Sequence, residues 1–204
     1  MIAIIDYGVG NLYSLSRSLS SLGLENRVTR DERELRSADK IILPGVGAFG
    51  DAMDKLVATG LVPVVKERAG AGVPFLGICL GMQLLFEEGF EYGVHDGLGL
   101  LTGEVRAMID DLPKGLKVPH IGWNALNIRG ECPILKYVRE GDCVYYVHSF
   151  YAVGCEEETV ATSEYGVPIT GVVQKDNVFG TQFHPEKSGR VGLSILKAFG
   201  EVSA

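Results

Sequence analysis

The chain has 204 residues, 46% of them hydrophobic, and a formal net charge of −7. Such a length builds one large domain or two small ones, and no stretch reads as a linker, so residues 1–204 are taken as a single domain. The acidic balance argues against nucleic acid, which needs a basic face, and the longest apolar runs fall short of the ~20 residues that span a bilayer.

Met1 to Ile5 reads as a strand, and the absence of a basic n-region before it argues against a secretory signal. Asn11 to Gly23 reads as a helix, with Leu12, Leu15, Leu19 and Leu22 on one face and Gly23 as its stop. Lys40 to Leu43 is a buried strand that runs into the loop Pro44-Gly45-Val46-Gly47. Residues 49–68 are helical, with a break near Gly60 and Pro63. After Gly70-Ala71-Gly72, the apolar run Val73 to Ile78 is a second buried strand. Residues 80–88 are predicted as a helix that ends at Gly89. From about Gly103 the texture turns to strands: 117–118, 124–128, 142–151, 159–163, 169–174 and 177–183. Ser188 to Gly200 closes as a helix. Strand–helix alternation followed by strand-rich sequence predicts an α/β fold, an open and mainly parallel sheet flanked by helices, with antiparallel additions in the C-terminal half.

Two short motifs carry chemistry. In Gly77-Ile78-Cys79-Leu80-Gly81-Met82-Gln83, the cysteine falls where strand gives way to helix, between two glycines. That is the pattern of a nucleophile elbow, whose small neighbours let strand and helix approach closely. The helix N-terminus favours thiolate, and the Leu80 N–H points to where an oxyanion would form. A lone cysteine is more often a packing residue; the flanking glycines and a distant histidine reverse that reading. The second motif is Phe183-His184-Pro185-Glu186, where the proline fixes the backbone and Glu186 is close enough to hold the imidazole. Thiol, base and carboxylate are the parts of an acyl-transfer triad. Cys132, Cys143 and Cys155 have no elbow and read as packing or surface residues, and their lack of pattern fits a reducing, cytoplasmic setting. No zinc-type Cys/His spacing and no H-E-x-x-H occurs, so neither a metal nor another cofactor is expected. The 44–47 loop is either a plain tight turn or a backbone able to approach a substrate.

The segments GICLGMQ and FHPEKS resemble those of the class I, or triad, glutamine amidotransferases. DYGVGN from Asp6, PGVGAFG from Pro44, PHIGWN from Pro119 and YVHS from Tyr146 extend the resemblance, in order, to one branch: the glutaminase subunits of imidazole glycerol phosphate synthase, from histidine biosynthesis. The resemblance implies a flavodoxin-like sheet and a Cys79–His184–Glu186 triad that hydrolyses glutamine. It implies that Val46 or Gly47 supplies an oxyanion N–H beside that of Leu80. Gln83 would contact the substrate glutamine, with His148 and Ser149 near it. Asn11, Trp123, Tyr145 and Lys187 would lie at the interface with a cyclase subunit, a (β/α)8 barrel that takes up the ammonia in a heterodimer. Phe150 and Ala48 depart from residues common in that family. Read from the residues alone, Gln83 is equally a surface residue, and Trp123 and the Tyr145–His148 strand need no function. Two other functions stay open: the glutaminase of another synthase, such as the one that makes pyridoxal phosphate, or a cysteine peptidase or hydrolase of similar fold. The segment PGVGAFG from Pro44 disfavours the former, whose relatives carry a differently composed oxyanion loop. A catalytically dead binding module is disfavoured because all three triad residue types are present.

Overall fold

The computed structural model describes residues 1–203. Its N-terminal half alternates strand and helix: β1 (Ile2–Ile5), α1 (Leu12–Ser21), β2 (Asn26–Thr29), α2 (Glu32–Ser37), β3 (Lys40–Gly45), α3 (Phe49–Ala58), α4 (Val62–Gly70), β4 (Phe75–Cys79) and a one-turn α5 (Leu80–Gln83). The C-terminal half is strand-rich: β5 (Glu88–Gly89), β6 (His95–Asp96), β7 (Glu104–Ala107), β8 (His120–Ala125), β9 (Asn127–Ile128), β10 (Cys143–His148), β11 (Phe150–Val153), β12 (Thr159–Glu164), β13 (Pro168–Lys175) and β14 (Val178–Thr181), before α6 (Gly189–Glu201).

The largest sheet among the described residues has eight strands in the order β2-β1-β3-β4-β14-β13-β12-β9. Its first five strands are parallel and follow the flavodoxin-like order; β13, β12 and β9 add antiparallel pairs at one edge. β1, β3 and β4 read as apolar runs because both faces are covered, whereas the edge strand β2, Asn26–Thr29, carries two exposed residues. Ile2 and Ile4 of β1, Ile42 of β3 and Leu76 of β4 pack with Leu15 and Leu19 of α1 and Ile195 and Phe199 of α6. Their neighbours Ala3, Ile5, Ile41 and Phe75 point the other way, onto Leu35 of α2, Leu56 of α3 and Val65 of α4. A two-stranded sheet, β8–β10, and a four-stranded sheet, β11-β7-β5-β6, stand beside this layer.

Five local expectations are corrected. The helix expected over 80–88 stops at Gln83, because the next carbonyls are taken by another segment. Leu98 N–H donates to Leu84 O, Leu100 and Leu101 N–H to Leu85 O, and Gly99 N–H to Phe86 O. No strand forms at 117–118, which leads into Pro119; the strand there starts at His120. The run 124–128 is interrupted at Leu126, whose N–H and carbonyl pair with Asp142 and Gly141. The run 142–151 is two strands, β10 and β11, which part at Ser149 and enter different sheets. The strand expected over 177–183 is shorter, and Gln182 and Phe183 lead from β14 to His184.

Candidate active site

Three neighbouring parallel strands deliver the site from their carboxyl ends, where open α/β sheets gather functional groups. β3 feeds residues 44–47, β4 ends at Cys79, and β14 leads through Gln182 to His184. Cys79 has φ 55° and ψ −113°, a left-handed conformation for a residue with a side chain. Such backbone costs on the order of 1–3 kcal/mol and persists only where its surroundings enforce it. The enforcement is visible: a Cβ on Gly81 would sit 1.9 Å from the Leu43 carbonyl oxygen, and one on Gly77 2.7 Å from Gly81 O. Only glycine on both sides lets β4 turn into α5 against β3. Because α5 is a single turn, its dipole gives the thiol less than a long helix would.

His184 is buried, and its Nδ1 lies 2.9 Å from Glu186 Oε1. Burial pulls the imidazole down, but hydrogen bonds to Cys79 and to Glu186 outweigh it and raise the group to about 9. Residues 185–187 form a 3-10 turn that folds the carboxylate back under the ring. The main chain holds this turn: His184 N–H donates to Tyr145 O at 3.1 Å, and Ser188 Oγ donates to His184 O at 2.7 Å. The second carboxylate oxygen, Glu186 Oε2, is buried without a partner.

Cys79, Leu80 and His184 open onto a cavity of about 420 Å³ that is also lined by Val46, Gly47, Gln83, His148, Ser149 and Lys187. The Gly45 end of β3 stands in register with Cys79, so the 44–47 loop lies directly beside the thiol. The Tyr7 hydroxyl donates to Pro44 O at 2.7 Å and pins the base of that loop. Gly47 has φ +97° with open space around it. Across the cavity, His148 Nδ1 donates to Phe150 O at 2.9 Å, so its Nε2 accepts from His120 Nδ1 at 3.1 Å. Burial pushes His148 down to about 3, leaving a neutral ring.

The four residues expected at an interface divide. Lys187 lines the cavity rim and is exposed. Trp123 is 57% exposed on the outer face of β8 and packs edge-on against Tyr145 at 6.1 Å. Asn11 caps α1 through Ser14 N–H and lines a small recess behind His184 and Glu186, away from the main cavity. Sequence reasoning missed Gln182, which is completely buried and donates to Cys79 Sγ at 3.8 Å. It also missed Tyr7, Glu91 and Pro119. The signal for Gln182 was a polar residue at the end of an apolar strand, two positions before His184. Among the described residues, no three His, Cys, Asp or Glu side chains cluster as a metal site, and no helix is long and apolar enough to cross a membrane.

A nucleophile elbow facing a His–Glu pair occurs on more than one fold, so relatives narrow the family. The glutamine amidotransferase class-I model matches residues 3–201. The imidazole glycerol phosphate synthase subunit HisH of Caldanaerobacter subterraneus is 51% identical over 99% of this chain and 98% of that protein. HisH of Listeria monocytogenes is 49% identical over 100% and 96%. Among solved structures, PurLQS from Thermotoga maritima aligns with a TM-score of 0.75 at 22% identity, over 97% of this chain and 96% of that one, a likeness of fold. A match over nearly the whole chain, with about half the residues shared with two HisH subunits, means that the chain belongs to the class-I glutamine amidotransferase family, in its HisH branch.

Proposed function

We propose that the chain is the glutaminase subunit of an imidazole glycerol phosphate synthase, hydrolysing glutamine to glutamate and ammonia for histidine biosynthesis. The observation that carries this reading is the strained Cys79 elbow sharing one cavity with the Glu186-held His184. The Cys79 sulfur attacks the side-chain amide carbon of glutamine, and the carbonyl electron pair moves to oxygen. The N–H of Leu80 and that of Val46 or Gly47 receive this oxyanion. His184, held protonated beside Glu186, gives its proton to the departing ammonia. As a neutral base it then takes a proton from water, which opens the thioester to glutamate. Gln83 and Ser149 on the cavity wall hold the substrate, and His148, whose two ring nitrogens are already paired, walls the pocket beside it. The side chains of Asn11, Trp123, Tyr145 and Lys187 face the partner, a (β/α)8-barrel cyclase bound as a heterodimer. A docked partner is required because ammonia released into bulk water is lost as ammonium.

The test uses the assembled complex. Cys79→Ala should abolish glutamine-dependent synthesis and leave ammonia-dependent synthesis intact. Loss of both in a properly assembled complex would refute a purely glutaminase role.

A further inference from the structure

The buried polar groups behind the nucleophile orient one another. Gln83 Nε2 donates to Phe150 O at 2.9 Å and to Gln182 Oε1 at 3.0 Å, which uses both of its hydrogens. The Gln182 oxygen must therefore face Gln83, since the flipped amide would set two NH₂ groups against each other. That leaves Gln182 Nε2 donating to Cys79 Sγ. The Gln182 main chain is tied as well, its N–H donating to Gly171 O at 2.9 Å. A fully buried carboxamide is costly unless its groups are paired, and here sulfur is one of the partners.

We infer that Gln182 is a further residue of the active site, one that donates a hydrogen bond to the Cys79 thiolate while Gln83 holds its amide in the donating orientation. This rests on the reading of Cys79 as nucleophile. When the sulfur electron pair forms the C–S bond, the N–H loses the charge on its acceptor. When water opens the thioester, the C–S bond breaks, its electron pair returns to sulfur, and the same N–H meets the leaving thiolate. Gln182 thus serves both the resting nucleophile and the second half of the reaction. Gln83 then has only its carbonyl oxygen to offer glutamine.

The other titratable groups around the sulfur are His184 with Glu186 behind it, Tyr7, His148, and Glu91 and Lys187 on the cavity wall. All are unchanged in the variants that test the inference. The measurement is the pH profile of Cys79 alkylation by iodoacetamide, followed site by site by mass spectrometry on the full chain. Gln182→Met should move the midpoint up by about one pH unit, about a tenfold loss of rate below it. Gln182→Glu should move it further, because a carboxylate then faces the thiolate. Gln83→Leu, which keeps Gln182 but frees its amide, should give a smaller shift the same way. An unchanged midpoint in folded Gln182→Met and Gln182→Glu overturns the inference; if those chains do not fold, an unchanged midpoint in Gln83→Leu does so. A Cys79→Ala complex that still hydrolyses glutamine removes the nucleophile itself, and the inference with it.

Discussion

His184 and Glu186 differ in what each can lose. On the proposed mechanism the ring transfers protons, and the carboxylate serves it through one oxygen. His184→Ala should cost about 10²- to 10⁴-fold or more in glutamine turnover, the worth of general acid–base catalysis. Glu186→Gln should cost less, because an amide still accepts from Nδ1; steady-state kinetics of the two variants decide, and equal, complete inactivation would give Glu186 another role. His148 makes a prediction of a different kind. Its folded form is pushed down to about 3 from an ordinary 6.5, chiefly by burial. Between those values the unfolded chain binds the extra proton, so this group's stabilisation is lost as pH falls, by up to ~1.4 kcal/mol per pH unit. Urea unfolding at several pH values should show a flatter acid side for His148→Gln than for the parent; identical slopes would contradict it. The meeting of Cys79 with the His184–Glu186 pair at one cavity was legible in sequence, because the proposed chemistry demands particular residue types beside glycine and proline. Gln182 was not, since its meaning depends on Gln83, and residues 83 and 182 meet only in the folded chain.

The elbow is the element on which the rest depends. A Cβ at Gly81 meets main-chain carbonyl of β3 and not a side chain that can move aside. Gly81→Ala should therefore destabilise by several kcal/mol, on the order of an overpacked core, or leave no folded chain. Gly47→Ala meets open space and strains only the backbone, at about 1–2 kcal/mol. It should leave a folded protein with impaired turnover. Chemical denaturation paired with glutaminase assay separates the two, and a Gly81→Ala chain as stable as the parent would contradict the packing account. The parallel strands β1, β3 and β4 were legible from their apolar runs; β2, with Asn-Arg-Val-Thr at the sheet edge, was not. The short α5 was not: Leu84, Leu85 and Phe86 look helical locally, but their carbonyls are claimed by the distant residues 98–101. Likewise, nothing in the run 142–151 marks Ser149 as the point where one strand becomes two.

At the scale of the whole molecule, the alternation of β8 links outside to inside. Ile121 and Trp123 are 58% and 57% exposed, while His120, the first residue of the strand, faces inward onto His148 of the cavity wall. On the proposed function, a partner seated on that outer face would press on a two-stranded ribbon whose inner face lines the site. The 44–47 loop, pinned at Pro44 by Tyr7 and free at Gly47, is the segment able to reorient in response. Glutamine hydrolysis by the chain alone, with the cyclase, and with cyclase plus its nucleotide substrate should rise by at least about 10²-fold, mainly in kcat, the worth of one oxyanion donor. Full activity in the isolated chain, unmoved by either addition, would contradict the coupling. The overall sheet was legible from the alternation of strand and helix signals. The two small sheets were not: one is built from strands of two to four residues, and in the other β8 and β10, six residues each, pair across an intervening segment.

The register of Gly45 with Cys79, and of Thr181 with Ile78, carries a further consequence. Nucleophile, loop and histidine segment leave adjacent strands, so their lateral spacing is the ~4.8 Å repeat of hydrogen-bonded strands. Main-chain pairing thereby sets the lateral spacing of the three segments that carry the site. A single residue inserted in β3, β4 or β14 would shift one group along the ladder by a whole peptide unit and take the site apart.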